Sequence, residues 1–514
     1  MVFASLFFLC VFFPVFMILY YIFPSIKWRN AILLIFSLIF YSWGEPKYIF
    51  LMVFTVILNY FLGLAIQSSK SKKSRKGFLI LALAVSLGSL GFFKYSGFVA
   101  QTVTSVSGAL GGLFEKIPFL RGTGEALSAF NLGNYIPKVA LPIGISFYTF
   151  QIISYIIDVY RGNVKAQKSP FKLLLYISSF HQLIAGPIVR YDHIAEEIDT
   201  RKATPVDIWT GIERFAVGLA KKVVVANLCG SVASSILGGD ISDTSVVGAW
   251  FGILMFSIQI YFDFSAYSDM AIGMGRMCGF HYHENFNYPY VSRTVSEFWR
   301  RWHISLGSFF RDYVYIPMGG NRRHQLLNLF VVWMLTGLWH GASWNFVVWG
   351  LYYFVFLVLE KFIYGKVLQK IPVINNIYTL AVVVIGWVFF YYTDFSKAIE
   401  MLKSMFGLNG NGVFDAFTKA HILNNIFLFA LGVVCCLPVV PAIKKLLPKR
   451  ELPQEEYYED FYEHSVEDYI KIDQSNSRSK LGLILSGVTV FVLMAISIIM
   501  LVGDSYNPFL YFRF

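Results

Sequence analysis

Two imidazoles stand in sequence settings where a titratable ring is costly to keep. His340 lies in Gly337-Leu-Trp-His340-Gly-Ala-Ser-Trp-Asn345, at the end of the apolar run from Asn328 to Leu338, between glycines and with Trp339 and Trp344 beside it. His303 lies in Glu297-Phe-Trp-Arg-Arg-Trp-His303-Ile-Ser-Leu306, which continues through Phe310 and Arg311 to Gly320. An imidazole titrates near neutral pH, so it can take a hydroxyl proton while that oxygen attacks an acyl thioester, then return the proton to the leaving thiolate. That is the chemistry of O-acyl transfer. On these grounds His340 ranks first, and nothing in the spacing joins it to His303.

Around them lie the other candidate contacts for substrate. Trp339 and Asn345 flank His340, and Trp299, Arg300, Arg301 and Arg311 flank His303. On a helix, Trp299, His303 and Phe310 would fall near one face. The arginines either bind a phosphate-bearing donor or follow the bias of basic residues toward the inner leaflet. Upstream, Asp263 and Asp269 enter an otherwise apolar segment with Gln259, Ser265, Tyr267 and Ser268. Buried polar groups in lipid either contact substrate or hydrogen-bond between helices. His281 and His283 are two apart but lack a third ligand at a recognisable spacing, so no metal is expected.

The elements that must carry these groups are membrane spans. Of 514 residues, 56% are hydrophobic and 14% charged, more apolar than the core of a soluble protein requires. Apolar stretches recur from end to end, giving roughly eleven to thirteen spanning or re-entrant helices at about twenty residues each. The clearest are residues 3–23, 48–67, 78–93, 344–363, 376–392, 422–440 and 481–503. Segments 30–43, 171–188, 212–236 and 248–268 are shorter or more polar, as tilted, broken or re-entrant helices would be. The fold class is therefore an all-α polytopic membrane protein, a single domain over 1–514. It carries two hydrophilic insertions, an outer loop near 100–138 and a cytoplasmic loop near 450–480.

Basic loops fix the orientation. Lys70, Lys72, Lys73, Arg75 and Lys76 mark an inner loop, and the same alternation puts Arg161, Lys165, Lys168, Lys361, Lys366 and Lys370 inside. Both termini are then expected outside, in a bacterial cell membrane. The net charge of +12 belongs to these loops facing anionic lipid, and no basic soluble domain exists to bind nucleic acid. The five cysteines show neither disulfide nor metal spacing.

At this point the residues resemble the membrane-bound O-acyltransferase (MBOAT) family, in its bacterial alginate O-acetyltransferase-like branch. The resemblance rests on Gly91-Phe-Phe-Lys-Tyr-Ser-Gly-Phe98, Leu141-Pro-Ile-Gly-Ile-Ser-Phe-Tyr-Thr-Phe-Gln151 and Ile184-Ala-Gly-Pro-Ile188. Its most specific parts are Tyr261-Phe-Asp-Phe-Ser-Ala-Tyr-Ser-Asp-Met270, Glu297–Leu306 and Gly337–Gly341, and Pro508–Phe514 is of the same type. It implies that His340 is the catalytic histidine and His303 its partner across a central tunnel. It also implies a thioester donor, acetyl-CoA or an acyl carrier protein, as substrate rather than as a bound cofactor. The expected acceptor is an extracytoplasmic polysaccharide, reached directly or through a separate serine-hydrolase-type transferase, since no Gly-x-Ser-x-Gly elbow occurs in a strand-to-helix context. D-alanyl transfer toward teichoic acid and export without chemistry are the alternatives.

Overall fold

A computed structural model describes residues 1–514 apart from 138, 185, 369, 372, 447–479 and 504–514. The insertion expected at 450–480 thus lies almost wholly, and the closing motif at 508–514 entirely, outside the described residues. Those described form helices and connections, with no strand among them.

Among the described residues, eight helices are long and apolar enough to cross a membrane. Their segments are α3 (Tyr48–Ser68), α4 (Lys72–Phe114), α6 (Pro205–Ala220, continuing to Leu237), α7 (Val246–Met277), α11 (Trp344–Leu359, continuing to Leu368), α12 (Ile374–Tyr391), α13 (Ala416–Cys436) and α14 (Lys480–Gly503). The chain is a multi-pass membrane protein. Shorter helices complete the bundle: α1 (Phe13–Tyr21), α2 (Ile26–Gly44), α5 (Ile145–Arg161), α8 (Val295–Arg301), α9 (Ile304–Phe310) and α10 (Gln325–His340).

Burial separates the roles of these helices. The apolar windows of α6 and α7 are 72% and 78% buried, whereas that of α14 is 6% buried. The first pair forms the centre, and α14 presents its sides to lipid.

Several expected spans are interrupted, each for a local reason. Residues 3–23 contain a π-turn at Phe8–Phe12 before α1, whose first turn holds Pro14, a residue with no N–H to give. The stretch 171–188 breaks at Ser179, where Ser37 Oγ accepts the N–H of Phe180 (3.1 Å) and Ser179 Oγ donates to Leu175 O (2.6 Å). A broken backbone inside a bilayer survives only where such partners exist.

The expected outer loop at 100–138 is corrected: α4 runs on as helix to Phe114, and a second helix spans Arg121–Ala129. Forty-three residues at 1.5 Å each give a rod of about 64 Å, twice the hydrocarbon thickness, so α4 must project well beyond it. The small residues that suggested a loop serve packing. A Cβ on Gly111 would lie 2.6 Å from Ser128 N, so only glycine lets the two helices approach this closely.

The basic segments share one face of the bundle. Arg75 donates to Tyr160 O (2.7 Å), Tyr60 to Lys168 O (2.9 Å) and Arg161 to Asp312 O (3.1 Å).

Candidate active site

His340 is the last residue of α10, and Gly341 leaves the helix with extended backbone before α11 begins at Trp344. The two helices meet closely because Gly337 and Gly350 face each other: a Cβ on Gly337 would collide with the carbonyl oxygen of Phe346, and one on Gly350 with that of Trp333. Asn345 is buried and its Nδ2 donates to Phe389 O (3.0 Å), while Ser343 Oγ donates to its Oδ1. Asn345 therefore ties the start of α11 to α12 and is absent from the cavity described below.

His303 sits between helices rather than on one. The expected continuous helix through Trp299, His303 and Phe310 is broken, because His303 adopts a left-handed conformation (φ 48) between α8 and α9. The backbone here pairs with a loop upstream: Phe286 and Trp302 form an antiparallel bridge, Asn287 N donates to Arg301 O (2.9 Å) and Ile304 N to Asn285 O (3.0 Å). Such a conformation costs a non-glycine residue about 1–2 kcal/mol and persists only where surroundings impose it.

Asn285, which the sequence reading did not single out, imposes much of it. The residue is fully buried, and its Oδ1 accepts from Ser305 N (3.2 Å) and Ser305 Oγ (2.9 Å) and lies 3.1 Å from His303 Nδ1. Its Nδ2 donates to Ser268 Oγ (3.0 Å) and Gly186 O (3.4 Å). The only sequence signal was its place two residues beyond His283 in a polar loop.

The two imidazoles meet at one cavity of about 710 Å³. Both pack on the indole of Trp339, with ring centroids 5.7 Å (His303) and 5.0 Å (His340) away. Phe264 lies edge-on to His303 at 4.6 Å, and Trp349 edge-on to His340 at 4.9 Å. The cavity also takes in Trp299, whose Nε1 is buried with no hydrogen-bond partner among the described residues, along with Trp302, Trp333 and Thr336. Its lining also includes Arg300, Arg311, Lys361 and Lys366 together with the carboxylate of Glu360, and Arg311 is paired with Asp312 (2.6 Å). One space is thus lined by two buried imidazoles and four cationic side chains.

The remaining expected contacts are elsewhere. Arg301 bonds Glu297 (2.8 Å) and Asn287 O (3.2 Å) and does not line the cavity. Asp263 pairs with Lys222 Nζ at 2.6 Å, and both side chains are buried. Asp269 receives Arg214 (2.7 Å) and Lys221 (2.6 Å), and Arg214 continues to Glu284. These ion pairs link α6 to α7, Lys221 and Lys222 being presented by a π-turn, Lys221–Asn227. Their partners on α6 could not be read from the α7 motif alone.

A family model described as MBOAT, the membrane-bound O-acyltransferase family, matches residues 162–395, which include both histidines. A "Probable alginate O-acetylase" of Azotobacter vinelandii is 34% identical over the whole of both chains. This chain belongs to the membrane-bound O-acyltransferase family. It is an O-acyltransferase. The "Peptidoglycan O-acetyltransferase" of Helicobacter pylori is 33% identical over 73% of each chain. The "Teichoic acid D-alanyltransferase" of Bacillus subtilis is 29% identical over 43% of this chain and 59% of its own. In this O-acyltransferase the matched region holds the cavity, its two histidines and its cations, while α4 and α5 pack against Trp339 through Lys94, Phe147 and Phe150.

Proposed function

We propose that this enzyme takes an acetyl group from a cytoplasmic thioester and delivers it to a hydroxyl of an extracytoplasmic polysaccharide, directly or through a partner transferase. The observation that carries the reading is the single cavity lined by Arg300, Arg311, Lys361 and Lys366 as well as by His303 and His340. These cations suit the phosphates of acetyl-CoA, or an acidic carrier protein, by charge-assisted hydrogen bonds. The full-length likeness to an alginate O-acetylase, set against a partial one to a D-alanyltransferase, favours acetyl over D-alanyl.

In this mechanism the acceptor oxygen bonds to the thioester carbonyl carbon while His340 takes the hydroxyl proton. Collapse of the tetrahedral intermediate breaks the C–S bond, and the imidazolium returns the proton to the thiolate. His303 faces the same space as partner. The enzyme holds no cofactor of its own, the thioester being consumed as substrate.

The positions of the basic loops support a bacterial cell membrane as its location, with that face inward and both termini outside. The partner outside would be a serine-hydrolase-type acetyltransferase, and the surrounding contact is lipid, not nucleic acid.

The test is acetylation of the external polysaccharide in cells carrying His340→Ala at normal membrane levels. Loss is expected. Undiminished acetylation would sink the mechanism, and loss with His303→Ala alone would make His303 the base.

A further inference from the structure

The bonds around Asn285 determine more than the position of a loop. Its amide orientation is fixed from both ends. Oδ1 receives the backbone N–H of Ser305, a group that can only donate, and Nδ2 lies 3.4 Å from Gly186 O, a group that can only accept. Turning the amide over would set donor against donor and acceptor against acceptor, leaving both buried and unpaired at about 1–3 kcal/mol each. Ser305 Oγ accepts from Ile188 N (2.9 Å) and has two acceptors in reach for its own hydrogen, Asn285 Oδ1 at 2.9 Å and His303 Nδ1 at 3.4 Å, and the nearer one, Asn285 Oδ1, takes it.

His303 Nδ1, 3.1 Å from that carbonyl oxygen, must therefore carry a hydrogen. An imidazole nitrogen without one would place its lone pair against another lone pair. The second nitrogen, Nε2, is buried, has no hydrogen-bond partner among the described residues, and belongs to a ring that lines the cavity. Phe264, Phe286 and Trp339 are in ring contact with His303, and none of the three carries a counter-charge to hold an imidazolium.

We infer that Asn285 is a positioning residue that locks His303 as the neutral Nδ1–H tautomer, so that Nε2 enters the cavity as a hydrogen-bond and proton acceptor. This rests on the two-histidine reading and deepens it. A neutral His303 of this tautomer cannot donate from Nε2 to the thioester carbonyl oxygen, so it is not an oxyanion donor. What it can do is accept a hydrogen bond from the attacking hydroxyl and aim that oxygen. The left-handed backbone of His303 fits this role, since Asn285 O holds Ile304 N and Asn285 Oδ1 holds Ser305 N on the far side of the strained residue.

The experiment is nitrogen-15 NMR of the full chain in lipid nanodiscs at pH 7.5, labelled at the histidine rings. The His303 signals are assigned by their absence from His303→Gln. A protonated Nδ1 with an unprotonated Nε2 is expected, and an Nε2–H ring or an imidazolium overturns the inference. In parallel, Asn285→Leu, equal in size but without an acceptor, is expected to lower kcat per folded enzyme by about 10–100-fold with donor KM unchanged. Asn285→Asp, which keeps an oxygen at Nδ1, is expected to restore kcat to within about tenfold of the parent. A fall in folded yield with parental kcat in Asn285→Leu would mark a scaffold residue and overturn the inference. Should the ring be Nδ1–H while His340→Ala and His303→Ala both still acetylate, the tautomer stands and the acyl-transfer reading falls.

Discussion

Lys94 of α4 donates its ammonium to the carbonyl of Trp339, the residue directly before His340. Its neighbour Tyr95 donates to Leu338 O (2.7 Å), so two consecutive side chains cap the last carbonyls of α10. A helix C-terminus leaves such carbonyls without backbone partners and carries partial negative charge, which a lysine complements. The motif at residues 91–98 thus holds the end of the helix that presents His340. Lys94→Met is expected to lower kcat by about 10–100-fold, since small misplacements of a reacting group are that costly, while Lys94→Arg recovers most of it. Steady-state kinetics on purified protein check this. A raised acceptor KM with parental kcat would instead put Lys94 in contact with substrate.

Glu360 is the corresponding anchor for the helix before His303. Its carboxylate accepts the N–H groups of Val295 (2.7 Å) and Ser296 (3.2 Å) at the start of α8, and Thr294 Oγ1 accepts that of Glu297 (3.0 Å). Because Glu360 is buried, Glu360→Ala leaves two amide donors unpaired, a cost on the order of 3 kcal/mol. A lower melting temperature in detergent, together with reduced kcat, is the expected outcome. Parental stability would refute the anchoring role.

The Lys222–Asp263 pair tests whether Asp263 serves structure or substrate. Both groups are buried and 2.6 Å apart, so removing one strands the other charge at about 3–5 kcal/mol. Asp263→Ala should therefore fail to accumulate in the membrane, while Asp263→Ala with Lys222→Met should accumulate again. If the double variant acetylates at a rate near the parent, Asp263 is structural. A well-folded but inactive double variant would return it to the site.

His281 provides a pH dependence outside the spans. It lies between the carboxylates of Asp207 (3.6 Å) and Glu197 (2.8 Å), which together raise its pKa to about 9. A histidine held above its ordinary value of about 6.5 stabilises the fold fully below that pH, and the contribution is lost as pH rises through the folded value. The melting temperature should thus fall between about pH 6.5 and 9 in the parent, and more steeply than in His281→Gln. Equal slopes would remove His281 as the cause.

Composition, the recurrence of apolar stretches and the positions of lysine and arginine determined the membrane class, because lipid constrains every residue of a span through length and polarity, which are local properties. The same constraint picked out His340 and His303 as costly polar groups, and the ordered motifs marked the family. What the tertiary structure decided was pairing. Asp263 and Asp269 look like substrate contacts until Lys222, Arg214 and Lys221 arrive from α6. Residues 100–114 read as loop from their small side chains, yet those same residues let helices touch. His303 left its expected helix because Asn285, eighteen positions earlier, holds the backbone just after it and faces its ring. A hydrogen bond between distant residues leaves no periodicity in the sequence, and only the folded chain brings its two ends together.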